Sequence, residues 1–204
     1  MNKSSLRGVI LFGDSVLFGT GASHRKFGCG RILRTLLDIP VIIKGKNNET
    51  SRDGLKRIAR DALQEDKASH VIILFGNNDC RLMDFDKAIV GTEEYRKNLI
   101  EMIRLVKSRN KTPIISNLQP IDSSLFRKTL PDVAKLMIKI TPYASHKKYS
   151  DICNQIADSE DISLADIRSG LEGNSKETLA ADGIHPNDTG HKIIAEEFLR
   201  KLKF

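Results

Sequence analysis

The stretch Val9-Ile10-Leu11-Phe12-Gly13-Asp14-Ser15 decides the fold: four apolar residues with no polar alternation run straight into a glycine and two polar residues. A strand with one wet face alternates apolar and polar side chains. A strand that does not alternate is covered on both faces, as in a parallel sheet flanked by helices. Runs of the same kind recur at Val41–Ile43, Val71–Phe75, Ile114–Ile115 and Ile162–Ala165. Val71–Phe75 repeats the whole pattern, because it too ends in a glycine and polar residues, Gly76-Asn77-Asn78-Asp79.

Helical spacing fills the intervals. Ser51–Gln64 places Leu55, Ile58, Ala59, Ala62 and Leu63 on one side. Thr92–Arg109 carries Leu99, Met102, Ile103, Leu105 and Val106, with Glu93 and Glu94 in its first turn and Lys107 and Arg109 in its last, as the helix dipole prefers. A final helix, capped by Asn187 or Asp188 just after Pro186, runs to about Leu202 and buries Ile194, Ala195, Phe198 and Leu199. Strand alternating with helix predicts a three-layer α/β/α domain with right-handed crossovers, built on a mainly five-stranded parallel sheet. Two connections, Cys80–Gly91 and Leu118–Pro131, are long for such a domain, and loops of that length tend to be functional. Ligands of such sheets sit at the carboxyl ends of the strands.

The chain of 204 residues suits one domain spanning 1–204, and its 40% apolar content is enough for a full core. Lys and Arg exceed Asp and Glu by 33 to 26, giving a net charge of +7. The positive residues are scattered rather than blocked, so the expectation is an ordinary basic surface and no nucleic-acid partner. Cys29, Cys80 and Cys153 are odd in number and widely spaced, which excludes a CxxC zinc or dithiol site and suits a reducing compartment. No apolar run approaches the ~20 residues of a membrane span, and Val9–Phe12 is too short for a secretory core. A cytoplasmic protein is expected.

Three polar stretches fall on one rim of the expected sheet: Gly13-Asp14-Ser15 after the first strand, Gly76-Asn77-Asn78-Asp79 after the third, and Asp182-Gly183-Ile184-His185-Pro186 just before the last helix. A serine hydroxyl needs a neighbouring base to become a nucleophile, and His185 is suited to that task. Asp182, three residues earlier on a tight loop, can reach the far ring nitrogen and fix the tautomer. The Asn78 carboxamide can donate to a developing oxyanion. Each stretch alone has a plainer reading, respectively a helix cap, a polar turn, and a capping loop or two incomplete metal ligands. Their conjunction, in this order and on one face, points to acyl-transfer chemistry.

These residues resemble the SGNH, or GDSL, hydrolase family. Gly13-Asp14-Ser15 matches its first block, Gly76-x-Asn78-Asp79 its third and Asp182-x-x-His185 its fifth, and the resemblance extends over nearly the whole chain. Glu94-Tyr95-Arg96-Lys97-Asn98-Leu99 is similar to the helix after the third block in small single-domain esterases of the isoamyl acetate-hydrolysing type. The resemblance implies a flavodoxin-like sandwich and hydrolysis of carboxylic esters or thioesters of a small-molecule substrate, with no metal or other cofactor. It makes Ser15 the nucleophile, His185 the base and Asp182 its orienting partner. The Ser15 N–H and the Asn78 side chain become oxyanion donors, while Asp14 braces the turn. The family's second block normally supplies a third donor from a glycine N–H. Aligning Glu49-Thr50-Ser51 with that block puts Asn48 at the glycine position, and Asn is the non-glycine residue that best tolerates positive φ. The alternative is that Gly45 is the equivalent and the loop is rearranged.

Other features have plainer readings. Gly19-Thr20-Gly21 with Gly28 and Gly30 lacks dinucleotide or Walker spacing and reads as a flexible loop. His24, His70, His146 and His191 have no partners at ligand spacing and are expected to be structural or solvated. Arg52, Lys56, Arg57 and Arg60 read as the solvated face of one helix, with attraction of an anionic substrate or nucleic acid as the alternative, which no interleaved aromatics support. Leu82, Met83 and Phe85 either wall an acyl or alcohol pocket or pack a loop. Three activities remain open: an esterase acting on small acyl esters or O-acetylated sugars, an acyltransferase or thioesterase on the same site, and a non-catalytic binding module.

Overall fold

Each unalternating apolar run forms a strand in the computed structural model, which describes residues 6–83, 87–131 and 143–202. The strands are β1 (Val9–Gly13), β2 (Val41–Gly45), β3 (His70–Leu74), β4 (Thr112–Ser116) and β5 (Ser163–Ala165). All four neighbouring pairs are parallel, in the order β2-β1-β3-β4-β5, which is the flavodoxin-like arrangement. Every residue of β1, which lies between β2 and β3, is buried. Its last residue, Gly13, is level with Gly45 of β2 and Leu74 of β3. The turns after these three strands therefore leave the sheet side by side, at the point where the strand order reverses.

The principal helices are α1 (Ser15–Phe18), α2 (Cys29–Leu36), α3 (Ser51–Ile58), α4 (Thr92–Ser108), α5 (Ser123–Thr129), α6 (His146–Ser159), α7 (Ile167–Leu171), α8 (Ser175–Thr178) and α9 (Asp188–Leu202). α2 packs against α9, and α4 packs against α3 and α6, covering the sheet with helical layers. Phe12 and Phe75 meet edge to face at 5.4 Å in the core. The Tyr95 hydroxyl donates to the Phe75 carbonyl at 2.7 Å, so α4 is fastened where β3 ends. The last helix begins as expected: Asn187 Oδ1 accepts from the Gly190 N–H at 3.0 Å, and α9 buries Ile194, Ala195 and Phe198. No helix among the described residues is long and apolar enough to cross a membrane.

The structure departs from the sequence expectation in several places. Gly28 and Gly30, read as flexible loop, belong to α2: Gly28 caps it and Gly30 is buried in its first turn. Ser51–Gln64 is not one regular α-helix, because Ala59–Leu63 is π-helical. The widened turn leaves Ala59 exposed, while Arg57 and Asp61 are buried and paired with each other at 3.0 Å. The Leu118–Pro131 connection contains α5, which forms because the Asp122 carboxylate accepts the Ser124 and Leu125 N–H groups at its start.

Candidate active site

Asp14 follows β1 and caps α1. Its carboxylate accepts the Val16 N–H at 3.0 Å and an Asn77 Nδ2 hydrogen at 2.9 Å, so it ties the first turn to the third. Burial raises the Asp14 pKa to about 6, with these hydrogen bonds pulling the other way. Ser15 follows as the first residue of α1 and is nearly enclosed.

Ser15 Oγ lies 2.9 Å from His185 Nε2, and His185 Nδ1 lies 2.7 Å from Asp182 Oδ2. An ionised carboxylate can only accept, so Nδ1 carries the proton and the Nε2 lone pair faces the serine hydroxyl. Burial raises the Asp182 pKa, but the bonds from His185 and from the Ile184 and His185 N–H groups outweigh it and hold the carboxyl at about 2. The Ala180 N–H closes the loop on the His185 carbonyl at 2.8 Å. From the other side, Gly21 lies close against it. A Cβ at Gly21 would collide with the Pro186 carbonyl oxygen and stand 2.7 Å from His185 Cβ, and the residue holds φ +94. Glycine is required there on both counts.

Asn78, nearly buried, donates one amide hydrogen to the Glu49 carbonyl at 2.9 Å. The residue before Glu49, Asn48, is exposed and has φ +61. Neither the Ser15 nor the Asn48 N–H has a partner among the described residues. Gly45 closes β2 against α1, where a Cβ would collide with the Phe18 nitrogen.

Beneath this rim Arg57 stacks over Phe12 at 4.3 Å and donates to the Gly13 carbonyl at 3.0 Å and to Glu49. The sequence reading of Arg57 as part of a solvated face is therefore corrected: it is buried because Glu49 and Asp61 neutralise it on either side. Arg52 and Arg60 lie at the surface, paired with Glu94 and Asp61. Met83 is 67% exposed and Leu82 is half-buried, bridged to Ala88. Phe85 lies outside the described residues. Among the described residues no three His, Cys, Asp or Glu side chains are grouped to hold a metal ion.

Asn77, Gln119 and His146, all buried, and the half-buried Arg168 also stand at the site, in one hydrogen-bonded group. Sequence reasoning assigns them no role and reads His146 as structural or solvated. No spacing signal joins partners separated by 42 and 69 positions.

Residues 11–193 match the GDSL-like Lipase/Acylhydrolase family. The chain belongs to that family. By family it is a hydrolase of carboxylic esters. It is 27% identical to a GDSL esterase/lipase of Arabidopsis thaliana over 97% of this chain and 86% of that protein. It is 24% identical to the isoamyl acetate-hydrolyzing esterase of Saccharomyces cerevisiae over 95% of this chain and 85% of that one. Among solved structures, a mutant of Axe2, an acetyl-xylooligosaccharide esterase of Geobacillus, superposes with a TM-score of 0.75 at 24% identity, covering 100% of this chain and 97% of that one.

Proposed function

We propose that this family member is a serine esterase that cleaves small acyl esters, O-acetylated sugars among them, through an acyl-enzyme. The observation that carries the reading is the unbroken line from Ser15 Oγ through His185 to Asp182, at 2.9 and 2.7 Å. In this reading His185 Nε2 takes the hydroxyl proton as Ser15 Oγ attacks the ester carbonyl. Asp182 stabilises the imidazolium that forms. The oxyanion is met by the Ser15 N–H, the free hydrogen of the Asn78 amide and the Asn48 N–H, all left for substrate by the bonding described above. Collapse of the tetrahedral species expels the alcohol, which takes its proton from His185. Water then repeats the cycle on the acyl group and releases the acid. The buried thiols Cys29, Cys80 and Cys153, none in a disulfide, support a cytoplasmic setting.

The test is turnover of 4-nitrophenyl acetate and of acetylated xylooligosaccharides by the wild type and by Ser15→Ala. Loss of both activities in a folded variant supports the reading, and retained turnover rejects it.

A further inference from the structure

Ser15, Asn78 and His185 are each preceded in sequence by a residue whose side chain or carbonyl belongs to one hydrogen-bonded network. Asp14 precedes Ser15, Asn77 precedes Asn78 and Ile184 precedes His185. Asn77 Nδ2 donates to Asp14 Oδ2 at 2.9 Å. Gln119 Nε2 donates to Asn77 Oδ1 and to the Ile184 carbonyl oxygen, each at 3.0 Å. His146 Nε2 bonds the same Asn77 oxygen at 2.9 Å, and Arg168 Nη2 lies 3.2 Å from His146 Nδ1.

The direction of every bond follows from Arg168. A guanidinium can only donate, so His146 Nδ1 accepts and the ring proton sits on Nε2. That proton points at Asn77 Oδ1, which leaves Asn77 Nδ2 to face Asp14. Burial and the Arg168 charge push the His146 pKa down to about 3, so the ring stays neutral. The Gln119 orientation is equally constrained. Exchanging its Nε2 and Oε1 would set an acceptor against two acceptors. As it stands, Gln119 Oε1 is buried with no hydrogen-bond partner among the described residues.

We propose that Gln119 is a positioning residue for His185. It ties the peptide before the base to the turns that carry Asn78 and Ser15, and so sets the reach between Ser15 Oγ and His185 Nε2. The proposal deepens the esterase reading and rests on it. A group that acts only through His185 should matter little once the imidazole is gone, whereas general loosening of the domain should harm either background equally.

The experiment is a double-mutant cycle on 4-nitrophenyl acetate with Gln119→Met, His185→Ala and the pair, with Ser15→Ala run in parallel and melting followed for each. Gln119→Met should lower kcat about 10- to 100-fold with KM within about twofold, and should change the residual rate of His185→Ala less than about twofold. Gln119→Glu, of equal size but with an acceptor facing Ile184, should show the same loss. An unchanged kcat in a folded Gln119 variant, or an equal fold-loss in the His185→Ala background, overturns the proposal. Failure of both variants to fold also overturns it, because Gln119 would then be needed for the domain and not for the base. Turnover retained by Ser15→Ala would instead mark failure of the esterase reading itself.

Discussion

The Ser51 N–H is bonded to both carboxylate oxygens of Asp79, at 3.0 Å each, and the Ser51 hydroxyl adds a third bond at 2.5 Å. Asn98 Nδ2 donates to that hydroxyl at 3.0 Å. The start of α3 is thereby fastened to the turn after β3, and the loop carrying Asn48 and Glu49 is anchored at its far end. Ser51→Ala removes the hydroxyl and with it one partner of the Asn98 amide. It should cost about 1–3 kcal/mol in urea unfolding and lower kcat less than loss of Asn78 does.

In the proposed mechanism Asn78→Ala deletes one oxyanion donor, and it should reduce kcat by about 10²–10³-fold while leaving KM nearly unchanged. Asn48→Gly keeps the N–H and the positive φ, so kcat should stay within about twofold. Asn48→Val forces a β-branched residue into the same backbone conformation and should destabilise the fold by about 1–3 kcal/mol. Steady-state kinetics on 4-nitrophenyl acetate and urea melts test the three together.

Arg57 bonds Glu49, Asp61 and the Gly13 carbonyl from a buried position. Arg57→Met removes the buried partner of both carboxylates, leaving only the more exposed Lys46 and Arg60 to face them, and should cost about 3 kcal/mol. Arg52→Met, at the exposed Glu94 pair, should cost less than about 1 kcal/mol. Equal effects in chemical denaturation would contradict the burial of Arg57 as the cause.

Burial raises the pKa of Asp79 to about 7 and that of Asp14 to about 6, against 3.8 in an unfolded chain. The native state thus binds more protons at these groups than the unfolded state does. Their contribution is greatest below pH ~4 and is lost as pH rises through about 6 and then about 7. Burial of His146 works the opposite way, costing stability as pH falls below its unfolded value. The clean readout is therefore a difference between proteins. Asp79→Asn should gain stability relative to wild type between about pH 5 and about pH 8, on the order of 1 kcal/mol or more. A difference that is flat over that range, or that moves in favour of the wild type as pH rises, would contradict the assignment.

The fold is legible in the sequence because a strand covered on both faces cannot alternate, and all five such runs are strands. Helix ends are legible where a side chain caps locally, as at Asn187. The π-helical turn at Ala59–Leu63 is not, since the Arg57–Asp61 pairing that accompanies it looks in sequence like an ordinary i,i+4 surface pair. The polar stretches carrying Ser15, Asn78 and His185 stand out because each follows a strand or precedes a helix. Gln119 and His146 do not, because their roles arise only from partners brought together by the parallel crossovers.

The most direct test is mass-mapped labelling with a fluorophosphonate. The account predicts stoichiometric modification at Ser15 in the wild type, none in Ser15→Ala, and labelling slowed at least about 100-fold in His185→Ala. Labelling at another residue, or a rate indifferent to His185, would contradict it.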